Sequence, residues 1–319
     1  MTHLDSRSIV SAIEIVVYIP LAALSVCLLV KYGFKREGWL YLLILSIIRI
    51  AGGITHIIAQ EQANPSTTLE TVVTILETSG VSPLLIATVG FLTTVKQNAF
   101  EDGHLLHKGL RLMGLLSSVA LLLTIVGGVN IGSNTSSDDV SKINSGNNLR
   151  HIGVILFVVQ FVLTVLVTFF IWSKISQIMK HRRTLLKAIT LSLPFLGVRV
   201  LYTILSAYSP LGIPGVTSGS PSLAKFNSTR GDFGIWLIMS PIMEFIVIVI
   251  YVTVGLATPL QNDYFVGGKG ESLEDATQLN SSAYAPNPSH GPSASSVSVA
   301  KPYTGGSAYA PRPGVTYGA

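Results

Sequence analysis

The alternation of apolar and polar positions divides most of the chain into seven long apolar runs joined by short polar segments. The runs cover residues 9–30, 39–58, 69–95, 109–129, 152–172, 185–208 and 233–257. About 20 apolar residues in helical form cross a hydrocarbon layer of ~30 Å. Unpaired backbone groups are costly in lipid, so each run is expected to fold as a helix. Prolines 20, 83, 194 and 241 fall inside four of them. Each lacks an N–H and frees the carbonyl one turn back, at Val16, Ser79, Thr190 and Leu237, which predicts kinks. The expected fold is an all-α membrane protein with seven transmembrane helices over residues 1–257. From residue 258 the pattern is lost. The segment 258–319 is rich in Ser, Pro, Gly, Ala and Tyr and reads as a disordered tail. It carries the pentapeptide SAYAP twice, at 282–286 and 307–311, which suits either a docking motif for a cytoplasmic partner or drift in biased sequence.

Ionisable residues interrupt these runs. Arg49 stands in the second, Glu77 in the third, Arg199 in the sixth and Glu244 in the seventh, with Glu14 inside the first. An arginine at the bilayer centre costs about 2.5–3.5 kcal/mol on insertion scales, so it needs a partner. A helix rises ~1.5 Å per residue, which puts Arg49 and Glu244 about midway through the layer and Arg199, Glu77 and Glu14 somewhat nearer the outer surface. All five thus occupy one slab. Polar residues at helical spacing share their faces: Ser46, Gly53 and His56 with Arg49, Ser11 and Tyr18 with Glu14, and Tyr202 and Ser206 with Arg199. The expected pairs are Arg49 with Glu77 and Arg199 with Glu244, neighbours along the chain, leaving Glu14 as a surplus acid that is protonated, bonded to a Tyr or His, or hydrated. Two readings of this network stand open. It locks the bundle in one register, or it floors a polar cavity in which Glu14, Arg49, His56, Glu77, Arg199, Tyr202 and Glu244 meet a ligand. The fourth and fifth helices lack such charges and are expected to pack through small residues such as Gly127 and Gly128.

Composition agrees with a membrane protein. Of 319 residues, 49% are hydrophobic and only 12% charged, against about 25% charged in soluble domains. The net charge of +5 is spread between apolar runs with no basic, aromatic-interleaved stripe, so nucleic acid is not an expected partner. The lipid bilayer is. Eleven Lys and Arg residues flank the odd-numbered loops and five the opposite side, which predicts an external N-terminus and a cytoplasmic tail. Sequons at Asn134 and Asn227 fall on the predicted outer side, and a third, at Asn280, on the inner. The first run is too long for a cleaved signal and reads as an anchor that stays. The membrane is either the plasma membrane or an endomembrane. Cys27, the one cysteine, admits palmitoylation, with a packed thiol the simpler reading.

Several chemistries lack their residues. Facing histidines for haem are missing: His56 and His151 both lie toward outer helix ends. His104 and His107 sit beside Glu101 and Asp102 in what reads as a solvated loop. There is no HExxH, GxSxG or P-loop motif, and no lysine inside the last helix for a retinal Schiff base. The third and seventh helices carry neither a DRY nor an NPxxY motif of common G-protein-coupled receptors. No enzyme activity, cofactor or metal is expected. The stretches "YIP", "GWLYLLILSIIRIAGG", "LETSGVSPLLIATVGFL" and "PIMEFIVIVIYVTVGLATP" resemble a family of fungal multi-spanning proteins catalogued as a domain of unknown function, over about residues 5–260. The resemblance implies seven helices and a fungal membrane protein, and brings no catalytic residue with it. The leading expectation is receptor-like sensing of a small or lipid-like ligand. The alternative is a transporter or lipid translocator that uses the buried carboxylates, although the chain shows no internal repeat.

Overall fold

The computed structural model describes residues 6–33, 37–61, 69, 72–73, 75–76, 79–96, 104–133, 140–210, 219–228 and 231–258. The chain divides into two units, Met1–Gly270 and Glu271–Ala319. The second unit, and with it both SAYAP repeats, lies outside the described residues.

The first unit is helical. Its helices are α1 (Ser6–Tyr32), α2 (Glu37–Glu61), α3 (Val81–Lys96), α4 (His104–Ser133), α5 (Val140–Ser173), α6 (Lys180–Ala207) and α7 (Phe233–Ala257). Short 3₁₀ turns, Ile175–Gln177 and Pro221–Phe226, precede α6 and α7. All of these helices except α3 are long and apolar enough to cross a membrane, which makes six. Their most apolar windows are only 28–44% buried within the bundle, so most of that apolar surface faces outward. It does so in stripes. Leu112, Leu115, Val119, Leu122, Val126 and Val129 form one exposed face of α4, and Ile9, Ile13, Val16 and Ile19 one face of α1. A soluble bundle buries such faces; here they suit lipid tails.

The third run differs from its expected form. The continuous helix covers Val81–Lys96, 16 residues, or about 24 Å, short of a ~30 Å core. Residues 69, 72, 73, 75, 76 and 79 are helical and Gly80 is a turn. Pro83 accounts for the break. It cannot donate to the carbonyl of Ser79, and its ring crowds that carbonyl, so a new helix starts with proline in its first turn. Elsewhere the helices outrun the apolar runs. The helix α5 starts at Val140, where 152 was expected, and α6 at Lys180, where 185 was expected.

At the centre stands α3, packed against α2, α4, α5 and α6. It is apolar all round, and every residue but Thr93 is buried. Around it α1 meets α2 and α7, and α7 meets α6. Helices α4 and α5 touch through backbone. A Cβ on Gly127 would lie 2.6 Å from the Gly146 carbonyl oxygen, and one on Gly146 2.8 Å from that of Gly127. Gly127 thus packs as expected, but its partner glycine lies in the polar segment before the fifth run. At the tail end of the bundle, Tyr32, Trp39, Phe91 and Tyr251 form a chain of ring contacts from α1 to α7. The Tyr251 hydroxyl lies 2.9 Å from Thr88 Oγ1, and the Tyr32 hydroxyl donates to the Gly255 carbonyl at 2.8 Å. Cys27 faces outward, so the packed-thiol expectation fails: its position on α1 points away from α2 and α7.

Candidate functional site

Four helices deliver charge to one place. Arg49 is fixed on α2 twelve residues past Glu37, and Glu244 is the second residue of the α-helical segment Met243–Ala257 that completes α7. Just before it α7 makes a π-helical turn, Ile238–Ile242, around Pro241. Such wide turns occur mostly as single insertions in α-helices, often at functional sites. The turn shifts the angular position of everything after it, which aims Glu244 inward.

Glu244 is fully buried and accepts from both arginines. Arg49 grips it with two N–H groups: Nε donates to Oε1 at 2.7 Å, and Nη2 donates to Oε2. Arg199 Nε donates to the same Oε2 at 3.3 Å. A bidentate guanidinium–carboxylate pair is the strongest side-chain arrangement for buried charge. Arg199 is held in turn by Thr203, to whose Oγ1 its Nη1 donates at 3.1 Å, and lies 5.9 Å over the Tyr202 ring. Glu14 Oε1 approaches the remaining edge of Arg49, at 4.0 Å from Nη1.

One of the two expected pairs is present among the described residues. Arg199 does meet Glu244. Arg49 meets Glu244 as well, where Glu77 was expected, and Glu77 lies outside the described residues. Adjacency in sequence suggested Arg49 with the third helix. In the bundle, the carboxylate that meets Arg49 among the described residues comes from α7. Gly80 makes that possible: a Cβ there would stand 2.9 Å from Glu244 Oε1 and 3.1 Å from Arg49 Nη2. Gly53 plays the same part for α1 and α2. A Cβ there would meet Ile15 and the Ser11 carbonyl, so the glycine lets Glu14 come near Arg49.

Toward the N-terminal face this cluster adjoins a cavity of about 30 Å³. Its walls include Ser11, Glu14, Arg49, His56 and Trp236. That volume holds one or two waters. His56 Nδ1 lies 3.5 Å from Ser8 Oγ at the upper rim. Above the cavity, Arg7 packs 5.3 Å over the Trp236 ring and donates to the carbonyls of Ser228 and Gly231, the latter at 3.0 Å. This clasp joins the start of α1 to the segment before α7. Arg7 and Trp236 were missed in the sequence; only their placement next to polar helix ends hints at it. Among the described residues, the lining of this cavity includes Glu14, Arg49 and His56 of the seven expected binding residues, and does not include Arg199, Tyr202 or Glu244.

The bundle holds other buried polar atoms. Among the described residues, the Tyr18 hydroxyl, Ser240 Oγ and both amide atoms of Gln160 have no hydrogen-bond partner. Of the glycosylation candidates, Asn134 lies outside the described residues. Asn227 is half-buried and its Nδ2 donates to the Pro210 carbonyl at 2.9 Å. His104 and His107 lie on the first turn of α4, with side chains outside the described residues.

A protein-family model matches residues 4–261, from just before α1 to just after α7, and its description is "Domain of unknown function (DUF7702)". No curated protein matches the chain.

Proposed function

Because the chain belongs to that domain family, whose description assigns no activity, we propose a function from the site alone: receptor-like sensing of a small or lipid-like ligand that carries an acidic group. In this reading α3 and the helical residues from 69 onward complete a seventh crossing, the N-terminus is external and the tail cytoplasmic. The protein has no catalytic role. The observation that carries the reading is the edge of Arg49 that Glu244 leaves open and that, among the described residues, Glu14 approaches only to 4.0 Å. Two of its N–H groups hold Glu244, while Nη1 faces Glu14 and the cavity. A ligand carboxylate or phosphate has there a guanidinium already desolvated and oriented.

The cavity is far smaller than an ordinary ligand pocket of about 300–1,000 Å³. Ligand entry therefore requires α1 or α7 to move. The π turn at Ile238–Ile242 gives α7 a place to bend, and Glu244 follows it directly. A ligand competing for Arg49 would loosen Glu244, and the straight segment from Met243 would carry the change to Thr258, where the tail begins. Addition of acidic amphiphiles such as fatty-acid carboxylates to purified protein is expected to raise its melting temperature. Uncharged analogues should not, and Arg49→Gln should abolish the rise. A transporter using Glu244 is the second reading. It is favoured over the first if no acidic amphiphile stabilises the protein and proteoliposomes show a proton-coupled flux that Glu244→Gln stops.

A further inference from the structure

A second charged feature lies away from this cluster, where α5 ends and α6 begins. From residue 140 to 231 the chain contains no Asp or Glu. Within that stretch Lys174, Lys180, Arg183 and Lys187 are all exposed, and among the described residues none of the four makes an ion pair. Lys180, Arg183, Lys187 and Leu191 follow one another at steps of three, four and four, so they share one face of α6. Leu191 is 58% exposed, with Phe169 at 67% and Phe170 at 51% on the neighbouring helix α5. Phe170, in the last turn of α5, precedes Lys174 by four residues, and Lys174 is the first residue past the end of that helix. Two adjacent helices thus show the same order from lipid to water: an exposed apolar side chain, then one turn later a cation.

The rise of the helix converts this into depth. Lys187 stands about 6 Å beyond Leu191, Arg183 about 12 Å and Lys180 about 16 Å. With Leu191 at the hydrocarbon edge, the headgroup layer of roughly 5–7 Å per side takes in Lys187, and Arg183 and Lys180 stand on its water side, within reach of headgroup phosphates that project from it. Two local features shape this edge. Arg183 donates Nε to the Ile178 carbonyl at 2.7 Å and Nη2 to that of Ser176 at 3.3 Å, which fixes the turn between the helices. Helix α6 begins without a side-chain cap, so its first N–H groups add partial positive charge at the same level.

We propose that this edge is a binding site for the headgroup of an anionic phospholipid, with Lys174, Lys180 and Lys187 holding the phosphate groups and Phe170 and Leu191 lining the chains. A soluble phosphate would gain nothing from the exposed apolar residues directly beneath the cations, which is why a lipid fits better. The inference is independent of the Arg49 site.

The test uses the full chain in nanodiscs of phosphatidylcholine doped with a phosphatidylinositol phosphate, with lipid retention read by native mass spectrometry. Each lysine close to an anionic lipid surface contributes about fivefold in binding. The triple variant Lys174→Gln, Lys180→Gln, Lys187→Gln is therefore expected to retain the anionic lipid at least about tenfold less, with an unchanged melting temperature, because all three side chains are exposed and Arg183 keeps its backbone bonds. The control Lys108→Gln, Arg111→Gln removes exposed charge from α4 at the same end of the bundle and should retain it as the parent does. Equal retention by parent and triple variant would overturn the proposal. So would an equal loss in the control, which would mark a general charge effect, or displacement of the lipid by soluble inositol phosphate at matching concentration, which would mark a headgroup-only site.

Discussion

Glu244→Gln removes one charge and almost no volume, and its cost follows from what Glu244 holds. Two guanidiniums share this carboxylate, Arg49 through two donors and Arg199 through one, and their side chains are only 5% and 2% exposed. Breaking a buried ion pair by removing one partner costs about 3–5 kcal/mol, because the other charge stays buried and uncompensated. Here two charges are stranded by one substitution. Each keeps a fallback: Thr203 for Arg199 and the Glu14 carboxylate at 4.0 Å for Arg49. These offset part of the second loss, so the expectation stays near the top of that range, about 4–5 kcal/mol.

Thermal unfolding of the purified protein measures it. For a domain of this size each kcal/mol moves the midpoint by about 2–4 °C, so the variant should melt roughly 8–20 °C lower. A double-mutant cycle with Arg49→Gln isolates the pair. Residues in one network show coupling of up to about 3 kcal/mol, so the double variant should lose clearly less than the sum of the singles. Glu14→Gln is the control. It faces a cavity and stands at 4.0 Å, outside hydrogen-bond distance of Arg49, so its loss should be clearly smaller than that of Glu244→Gln. The reasoning is refuted if Glu14→Gln costs as much as Glu244→Gln, or if the cycle shows additive effects. Either result would mean that Arg49 takes its compensation from somewhere other than Glu244.

The glycine contacts give a second prediction with opposite signs on one helix. Gly127→Ala places a methyl 2.6 Å from the Gly146 oxygen, a backbone atom that cannot step aside, and should destabilise by about 1–3 kcal/mol; Gly114→Ala meets nothing within 4 Å and should stabilise by about 0.5–1 kcal/mol through helix propensity. The same thermal assay reads both, and a stabilising Gly127→Ala would contradict the close approach of α4 and α5. A third concerns the clasp over the cavity. Arg7→Ala removes two bonds to backbone carbonyls and the packing on Trp236, so amide exchange across 225–236 should quicken by about tenfold or more, with 180–207 unaffected.

Much of this arrangement was legible in the sequence because lipid reduces the choices. Apolar runs of about 20 residues must be helices, and a constant rise per residue turns positions into depths. That logic placed Arg49, Arg199 and Glu244 in one layer, where they are. The limits of the helices were less legible. Polar turns such as 140–151 form helix in α5 because Gly146 packs on Gly127 and Arg150 donates to the Ser206 carbonyl at 3.3 Å. Those are tertiary contacts with no trace in local hydropathy. The third run shows the converse. Its hydropathy is continuous through Pro83, and the break at Gly80 comes from backbone chemistry that an apolar average ignores.

Partner choice was the hardest part, for a geometric reason. Depth is a one-dimensional property that counting residues supplies; azimuth depends on which helices touch and on how each is rotated. A single π turn adds one residue to a helical turn of ~3.6 and so rotates all that follows by roughly 100°. Nothing in the pattern of Ile238–Ile242 predicts that rotation except Pro241, and a proline can be absorbed by a kink as readily as by a wider turn. Without the extra residue Glu244 would sit about a quarter-turn off its present direction, away from α2. The pairing of Arg49 with a helix five elements further along the chain therefore rests on one local irregularity. A carboxylate held between two arginines immediately after such a turn is also coupled to it: the turn cannot relax to regular α-helix without moving Glu244 off both guanidiniums.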